Sequence, residues 1–167
     1  MTVVGIVLLV VTWVTWMGAR VDRLHGRTSA ARSSLDAQLV RRAAALQALV
    51  DRSVDELGQD RAARLRAVAR ASLEADEATR EAAENDLSRA LRDVPDTVDP
   101  QLLADLTDTC RRVVFARRFY NDAVRDTVAL RGRWLARLIR LGGRRPLPAF
   151  FEIDDGTPAS ATHRAAT

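Results

Sequence analysis

The fold of this chain is decided by residues 35–57, which read LDAQLVRRAAALQALVDRSVDEL. Apolar residues recur here mostly at steps of four or seven, a spacing that places them along one side of an α-helix. The stripe continues back toward residue 20, and its members are Leu24, Ala31, Leu35, Leu39, Leu46, Val50, Val54 and Leu57. This pattern predicts a helix from about Arg20 to Leu57, ended by Gly58.

Two further long helices follow from capping signals. Asp60 is a candidate N-cap for a helix from about Arg61 to Val94, which Pro95 would end. Asp99-Pro100 is a second start signal, an N-cap followed by proline at the first helical position, for a helix from Gln101 toward Arg140. Glycine and proline are otherwise scarce between these signals, so we predict an all-α fold, an elongated antiparallel bundle of long helices.

The N-terminal segment is much more apolar than the rest of the chain. From Thr2 to Ala19 it carries no charge, and 18 helical residues rise about 27 Å, enough to cross the hydrocarbon layer. A cleaved signal peptide is the competing interpretation, but no basic side chain precedes the apolar run and the cleavage site would be poor. The sequence therefore predicts an uncleaved transmembrane helix, with the membrane as a partner of this segment.

The flanking charges predict the orientation of this helix. Arg20, Arg23, Arg27 and Arg32 follow it, whereas no basic side chain precedes it. Because basic residues favour the cytoplasmic side, we expect the N-terminus outside the cell membrane and the following domain in the cytoplasm. The predicted organisation is an anchor at 1–19, a cytoplasmic bundle at 20–155 and a disordered tail at 156–167. The apolar stretch from Pro146 to Ile153 is expected to fold back and cap the distal end of the bundle.

The sequence offers little that points to catalysis, and we expect neither enzymatic activity nor a cofactor or metal. Cys110 is the only cysteine, which excludes an intrachain disulfide and favours a small buried helix residue. The histidines, His25 and His163, have no carboxylate or cysteine at ligand spacing. A face formed by Glu74, Glu77, Glu81 and Glu84 is the one candidate for cation binding, although such faces are usually solvated. Arginine without interleaved aromatic residues makes nucleic acid an unfavoured partner, and no small-molecule substrate is indicated.

Charge is divided unevenly along the chain. Between Asp51 and Asp108 there are 15 acids and 8 arginines, a net charge of −7. Between Arg111 and Arg145 there are 11 arginines and 2 acids, a net charge of +9. Packing of the second helix against the third would neutralise both, whereas a free basic face would recruit an acidic partner.

One polar cluster interrupts the third helix, at Arg117-Arg118-Phe119-Tyr120-Asn121. Tyrosine and asparagine are costly inside a helix unless their polar ends find partners. We expect Tyr120 to pack in the bundle and Asn121 to bond a neighbouring helix.

This cluster and its setting resemble the LemA family of bacterial membrane proteins. The resemblance is carried by the N-terminal apolar helix, by the sequence LDAQLVRR at residues 35–42 with its basic pair Arg41-Arg42, by the Arg-x-x-Tyr-Asn pattern at residues 117–121, and by FFE at residues 150–152. It covers nearly the whole chain, which we interpret as a divergent member. The resemblance implies a cytoplasmic helical bundle on a membrane tether, without an established catalytic activity. Its candidate interaction residues are Arg41, Arg42, Arg117, Arg118, Tyr120 and Asn121.

The sequence thus favours a membrane-anchored, non-enzymatic scaffold that binds protein partners. It is also compatible with a homo-oligomer. The first alternative is a coiled-coil stalk subunit resembling the b subunit of ATP synthase. A stalk requires one uninterrupted helix, whereas Gly58, Pro95 and Asp99-Pro100 predict hairpins. The second alternative is an enzyme that uses the glutamate face with a metal ion.

Overall fold

All regular secondary structure in the described part of the chain is helical. The computed structural model describes residues 2–132 and 148–158. This part of the chain forms α1 (Thr2–Arg52), α2 (Val54–Leu57), α3 (Gln59–Glu74), α4 (Arg80–Ala90), the 3-10 helix Leu91–Asp93 and α5 (Pro100–Gly132). The predicted all-α class and the helical bundle are therefore confirmed.

Helix α1 is one continuous helix of 51 residues, without a break near residue 20. It ends at Arg52, and the short helix α2 follows after Ser53. Gly58 ends α2 with φ 76°, a conformation that costs glycine little because it has no Cβ. The predicted stop at Gly58 is confirmed, but the predicted N-cap at Asp60 is wrong: Gly58 precedes α3, and Asp60 lies in its first turn.

The N-terminal turns of α1 expose apolar side chains in succession. Eight of them are 50–71 % exposed: Val3, Val4, Ile6, Val7, Leu8, Leu9, Val10 and Val11. Within residues 2–132 and 148–158, no helix is both long and apolar enough to span a membrane.

The predicted second helix is broken in its middle. Helix α3 ends at Glu74 and α4 begins at Arg80. Between them, the Asp76 carboxylate accepts hydrogen bonds from the Thr79 backbone N–H at 2.9 Å and from the Thr79 hydroxyl at 2.7 Å. These bonds lower the pKa of Asp76. An aspartate that bonds the backbone three residues ahead competes with the helix for that N–H, so the turn replaces continuous helix.

The start of the third long helix is as predicted. The Asp99 carboxylate accepts a hydrogen bond from the Gln101 N–H at 2.7 Å, and the Asp99 carbonyl accepts one from Leu103 N–H at 3.0 Å. Pro100 occupies the first helical position. A backbone N–H at this position has no intrahelical acceptor, so its absence in proline costs no hydrogen bond. Helix α5 is described as far as Gly132, so the predicted continuation to Arg140 lies outside the described residues.

The chain divides into two compact units, and the larger one contains residues 34–118 together with the segment that begins at Phe151. Its apolar core joins side chains from α1 to α5 and the 3-10 helix; among them are Leu46, Leu49, Leu57, Leu65, Leu87, Leu91, Leu106 and Cys110. Charged and hydroxyl side chains are buried in the same unit: Arg42, Ser53, Ser72, Glu84 and Ser88. This core is therefore not purely apolar.

The smaller unit contains residues 1–33 and 119–150. In it, the Thr28 hydroxyl lies 3.0 Å from the Thr127 hydroxyl, and Thr127 also donates to the Ala123 carbonyl at 2.9 Å. Arg32, one turn after Thr28, lies over the ring of Tyr120. Since residue numbers rise along α1 as they fall along α5, the two helices are antiparallel within this unit.

Candidate functional site

The two arginines of the basic pair Arg41-Arg42 lie in different environments. Arg41 is exposed, whereas Arg42 is 1 % exposed. The Arg42 guanidinium forms an ion pair with Glu84 of α4, with Nη2 2.5 Å from Oε2, and its Nη1 donates to the Ser88 hydroxyl at 3.3 Å. Arg42 therefore joins α1 to α4 inside the core and is not available to a partner on the surface.

Glu84 is held from both sides. Its second carboxylate oxygen accepts a hydrogen bond from the Ser72 hydroxyl at 2.7 Å, so it links α3 to the Arg42 pair. The Ser72 carbonyl in turn accepts a hydrogen bond from Arg80 at 2.9 Å. Removing one partner of such a buried pair costs about 3–5 kcal/mol, because the other charge stays buried without compensation. The arrangement fixes the relative position of three helices.

The glutamate face predicted for cation binding does not form. Glu74 ends α3, and the turn at Ala75–Thr79 separates it from Glu81 and Glu84 on α4. The Glu84 carboxylate forms the buried ion pair with Arg42 and is not available to a cation. In the part of the chain that the structure describes, no three His, Cys, Asp or Glu side chains come together as metal ligands would.

Arg117 and Arg118 also differ in their environments. Arg117 is half-buried, and its Nη2 contacts both carboxylate oxygens of Asp155 at 2.8 and 2.6 Å. Arg118 is exposed. Of this pair, only Arg118 presents its side chain freely to a partner surface.

Tyr120 is buried, as predicted, with 3 % of its surface exposed. Its hydroxyl donates to the Ala149 carbonyl at 2.8 Å, and the Arg32 guanidinium lies 5.6 Å from the ring centroid. A cation over an aromatic face contributes roughly 0.5–1 kcal/mol where it is partly exposed. Asn121 is half-buried. Arg42, Arg117 and Tyr120 thus each have a different partner: Glu84, Asp155 and the Ala149 carbonyl.

An extended segment, residues 151–158, lies along α4, and we call it the strap. The Glu152 N–H donates to the Glu81 carboxylate at 3.1 Å, and the Asp154 N–H donates to the Asn85 side-chain oxygen at 2.7 Å. The spacing is regular, because two residues of extended chain advance about 6.6 Å and four residues of helix advance about 6 Å. The strap therefore bonds successive turns of α4 through the backbone N–H groups of Glu152 and Asp154.

Apolar and charged side chains hold the strap in place. Phe151 and Ile153 are buried, and Asp154 and Asp155 form ion pairs with Arg92 and Arg117. The predicted folding back is confirmed for residues 151–153, but they pack along α4 instead of across an end of the bundle. Pro146 and Leu147 lie outside the described residues.

Two strap residues beyond the predicted end of the bundle are also buried. A Cβ added to Gly156 would lie 2.7 Å from the Ser88 carbonyl carbon and 2.8 Å from the Ser88 Cα. Only glycine permits this approach, since backbone atoms of a helix cannot move aside. Pro158 is buried as well. Residues 159–167 lie outside the described residues.

The described residues include no reactive thiol. Cys110 is buried in the core of the larger unit, and burial raises its pKa to about 11. The thiolate is the nucleophilic form, so a thiol with this pKa is unreactive near neutral pH. The prediction of a buried helix residue is confirmed.

Two phenylalanines of α5 face solvent: Phe115 is 67 % exposed and Phe119 is 56 % exposed. Aromatic side chains are enriched in surfaces that bind other proteins. The sequence carries a signal for their exposure, because both lie off the apolar stripe of α5 that includes Val113, Tyr120 and Val124.

Comparisons with protein-family models, with curated proteins and with solved structures found no match to this chain.

Proposed function

We propose that this chain is a membrane-anchored, non-enzymatic protein whose cytoplasmic helical bundle binds protein partners. The observation that carries the proposal is the run of exposed apolar side chains at the start of α1. Successive helical residues point in all directions around the axis, so exposure from Val3 to Val11 leaves every face of the helix apolar. A helix that is apolar on all sides requires an apolar surrounding, which a bilayer supplies.

The composition of residues 2–19 supports the same assignment. The segment is uncharged, and two of its threonines satisfy their hydroxyls within the helix: Thr12 donates to the Leu8 carbonyl at 2.8 Å and Thr15 to the Val11 carbonyl at 3.1 Å. Internal bonding of this kind removes the need for water. The membrane anchor is therefore supported by the sequence of this segment and by the exposure of its side chains. No membrane span is found among the described residues. The arginines at 20, 23, 27 and 32 favour a cytoplasmic bundle.

A binding role fits the distribution of polar groups better than catalysis does. Arg42 and Glu84 neutralise each other in the core, and the pKa of Cys110 keeps its thiol protonated. The surface of α5 includes the exposed Arg118 and Phe115. Arginine and aromatic residues are enriched in protein interfaces. The assignment to the LemA family rests on the order of sequence features alone.

The stalk resembling the ATP synthase b subunit is the alternative proposal. Helix α1 is long enough to favour it, but the chain turns at Ser53, at Gly58 and between Glu74 and Arg80. The helices after these turns share one core with α1. Helices that pack on each other within one chain leave less apolar surface for a partner strand, so we favour the bundle.

Crosslinking in intact cells tests the binding role. The full chain and a Phe115→Ser/Arg118→Gln variant would be expressed at equal levels, crosslinked, and their bound proteins identified. Both positions are exposed, so the variant is expected to keep its helical circular dichroism. A defined protein that is recovered with the full chain and lost with the variant supports the proposal. Recovery of the same proteins with the full chain and with the variant would contradict a partner surface on α5.

A further inference from the structure

An open groove of about 470 Å³ lies between α3 and the segment formed by α4 and the 3-10 helix. Its rim carries Arg61 and Arg64 on one side and Arg89 and Arg92 on the other, and we call it the arginine groove. All of its lining residues belong to the larger unit. The volume is within the range of roughly 300–1,000 Å³ that is usual for binding sites.

The positive charge of this groove is opposite to that of its surroundings. The segment between Asp51 and Asp108 has a net charge of −7, yet four of its eight arginines line the groove, with Asp93 as the acid among them. The arginines on each side are three residues apart, and like charges at this spacing destabilise a helix. An anion in the groove would remove this repulsion.

Two of the arginines are available to such an anion. Arg89 and Arg92 already have aspartate partners, Asp86 and Asp154. Arg61 and Arg64 form no ion pair among the residues that the structure describes, and Arg64 is exposed. A planar guanidinium recognises a carboxylate through two parallel hydrogen bonds.

The floor of the groove is apolar. Leu65 is buried beneath it, and Val68 and Ala90 are half-buried. A small inorganic anion would leave this floor in contact with water. The matching ligand therefore combines carboxylates at its edges with apolar side chains between them.

We propose that the arginine groove binds an acidic amphipathic segment of a partner protein. The proposal rests on the proposed function and names the chemistry of the partner. The strap provides an example on the same rim: Asp154 pairs with Arg92 while its neighbour Ile153 is buried. Residues 159–167, which follow the strap, contain no aspartate or glutamate side chain.

The test uses the full chain in nanodiscs and a fluorescent synthetic helix with leucine on one face and glutamate on the other. The control peptide carries glutamine in place of glutamate, and empty nanodiscs give the background. The test variant is Arg61→Gln/Arg64→Gln. Its matched control is Arg52→Gln/Arg70→Gln, which removes two exposed arginines of α1 and α3 outside the groove.

The glutamate peptide is expected to bind the full chain and the control variant equally, and to bind the groove variant about tenfold more weakly, as expected for loss of two rim charges. Rising salt should weaken this binding. Equal affinity for the glutamine peptide, or an unchanged affinity of the groove variant, would overturn the proposal. Binding of dodecyl phosphate that depends on Arg61 and Arg64, without binding of the peptide, would also overturn it in favour of a small amphiphile. Membrane retention is measured separately, so failure of the anchor is distinguishable from failure of the groove.

Discussion

Replacing Glu84 with leucine should destabilise the bundle by about 3–5 kcal/mol, because the Arg42 guanidinium would remain buried without its counter-charge. Both side chains are almost completely buried, and their closest atoms are 2.5 Å apart. Total stabilities of domains are about 5–15 kcal/mol, so this one change removes a large fraction of the folding free energy.

Replacing both partners should cost much less. In the Arg42→Met/Glu84→Leu variant no charge is buried, and the apolar side chains fill similar volumes. The remaining losses are the hydrogen bonds that Ser72 and Ser88 make to the pair, each about 1 kcal/mol. The double variant should therefore be only about 2 kcal/mol less stable than the original chain, and each single variant less stable than the double one.

The measurement is guanidinium unfolding of the full chain in detergent micelles, followed by helical circular dichroism. The matched control is Asp51→Asn, which breaks the exposed pair between Asp51 and Arg66 and should cost less than about 1 kcal/mol. If Glu84→Leu costs no more than this control, or if the double variant is the least stable of all, the buried pair does not hold the helices as argued.

Three further predictions address other contacts. Tyr120→Ala should lower the free energy of unfolding by about 2–4 kcal/mol and Tyr120→Phe by about 1 kcal/mol, because the latter loses only the bond to the Ala149 carbonyl; a Tyr120→Phe variant as stable as the original chain in urea unfolding would refute the role of that bond. Gly156→Val should release the strap through its clash with the Ser88 backbone, seen as faster amide exchange at residues 152–156, whereas protection equal to that of the original chain would contradict the close approach. The pKa of Cys110 is raised by burial to about 11, so stability should be full below the ordinary thiol pKa and fall as pH rises through about 11; a Cys110→Ala variant with the same pH profile would refute this contribution.

The parts of the fold that depend on local backbone chemistry were predictable from the sequence. Gly58 supplies a positive φ, and Asp99-Pro100 supplies a cap and a preset first turn, so both signals act over a few residues. The break between α3 and α4 carries neither glycine nor proline. It depends on the Asp76 side chain bonding Thr79, and aspartate is equally common on the surface of uninterrupted helices.

The buried ion pair was missed although the sequence carried a signal for it. Position 42 lies three residues after Leu39 and four before Leu46, so Arg42 belongs to the apolar stripe of α1. On α4, Glu84 lies three residues before Leu87 and therefore also belongs to an apolar stripe. In both cases the charge predicts exposure whereas the periodicity predicts burial. Which arginine would meet which glutamate depends on helix packing across 42 residues of sequence, which periodicity does not specify.

The position of the strap could be predicted only in part. The apolar character of Phe151 and Ile153 indicates burial, and both are buried. The register on α4 depends on Glu81 and Asn85 meeting backbone N–H groups, and such bonds have no pattern in the sequence.

Membrane retention of the full chain tests the central claim most directly. Membranes from cells that express the chain would be washed with alkaline carbonate, beside a Val7→Arg/Val10→Arg variant and an Ala48→Arg control whose change lies on an exposed position of the bundle part of α1. Arginine near the centre of a spanning helix costs about 2.5–3.5 kcal/mol each. We expect the original chain and the control to stay in the pellet and the double variant to be released. Release of the original chain into the supernatant would contradict the membrane anchor.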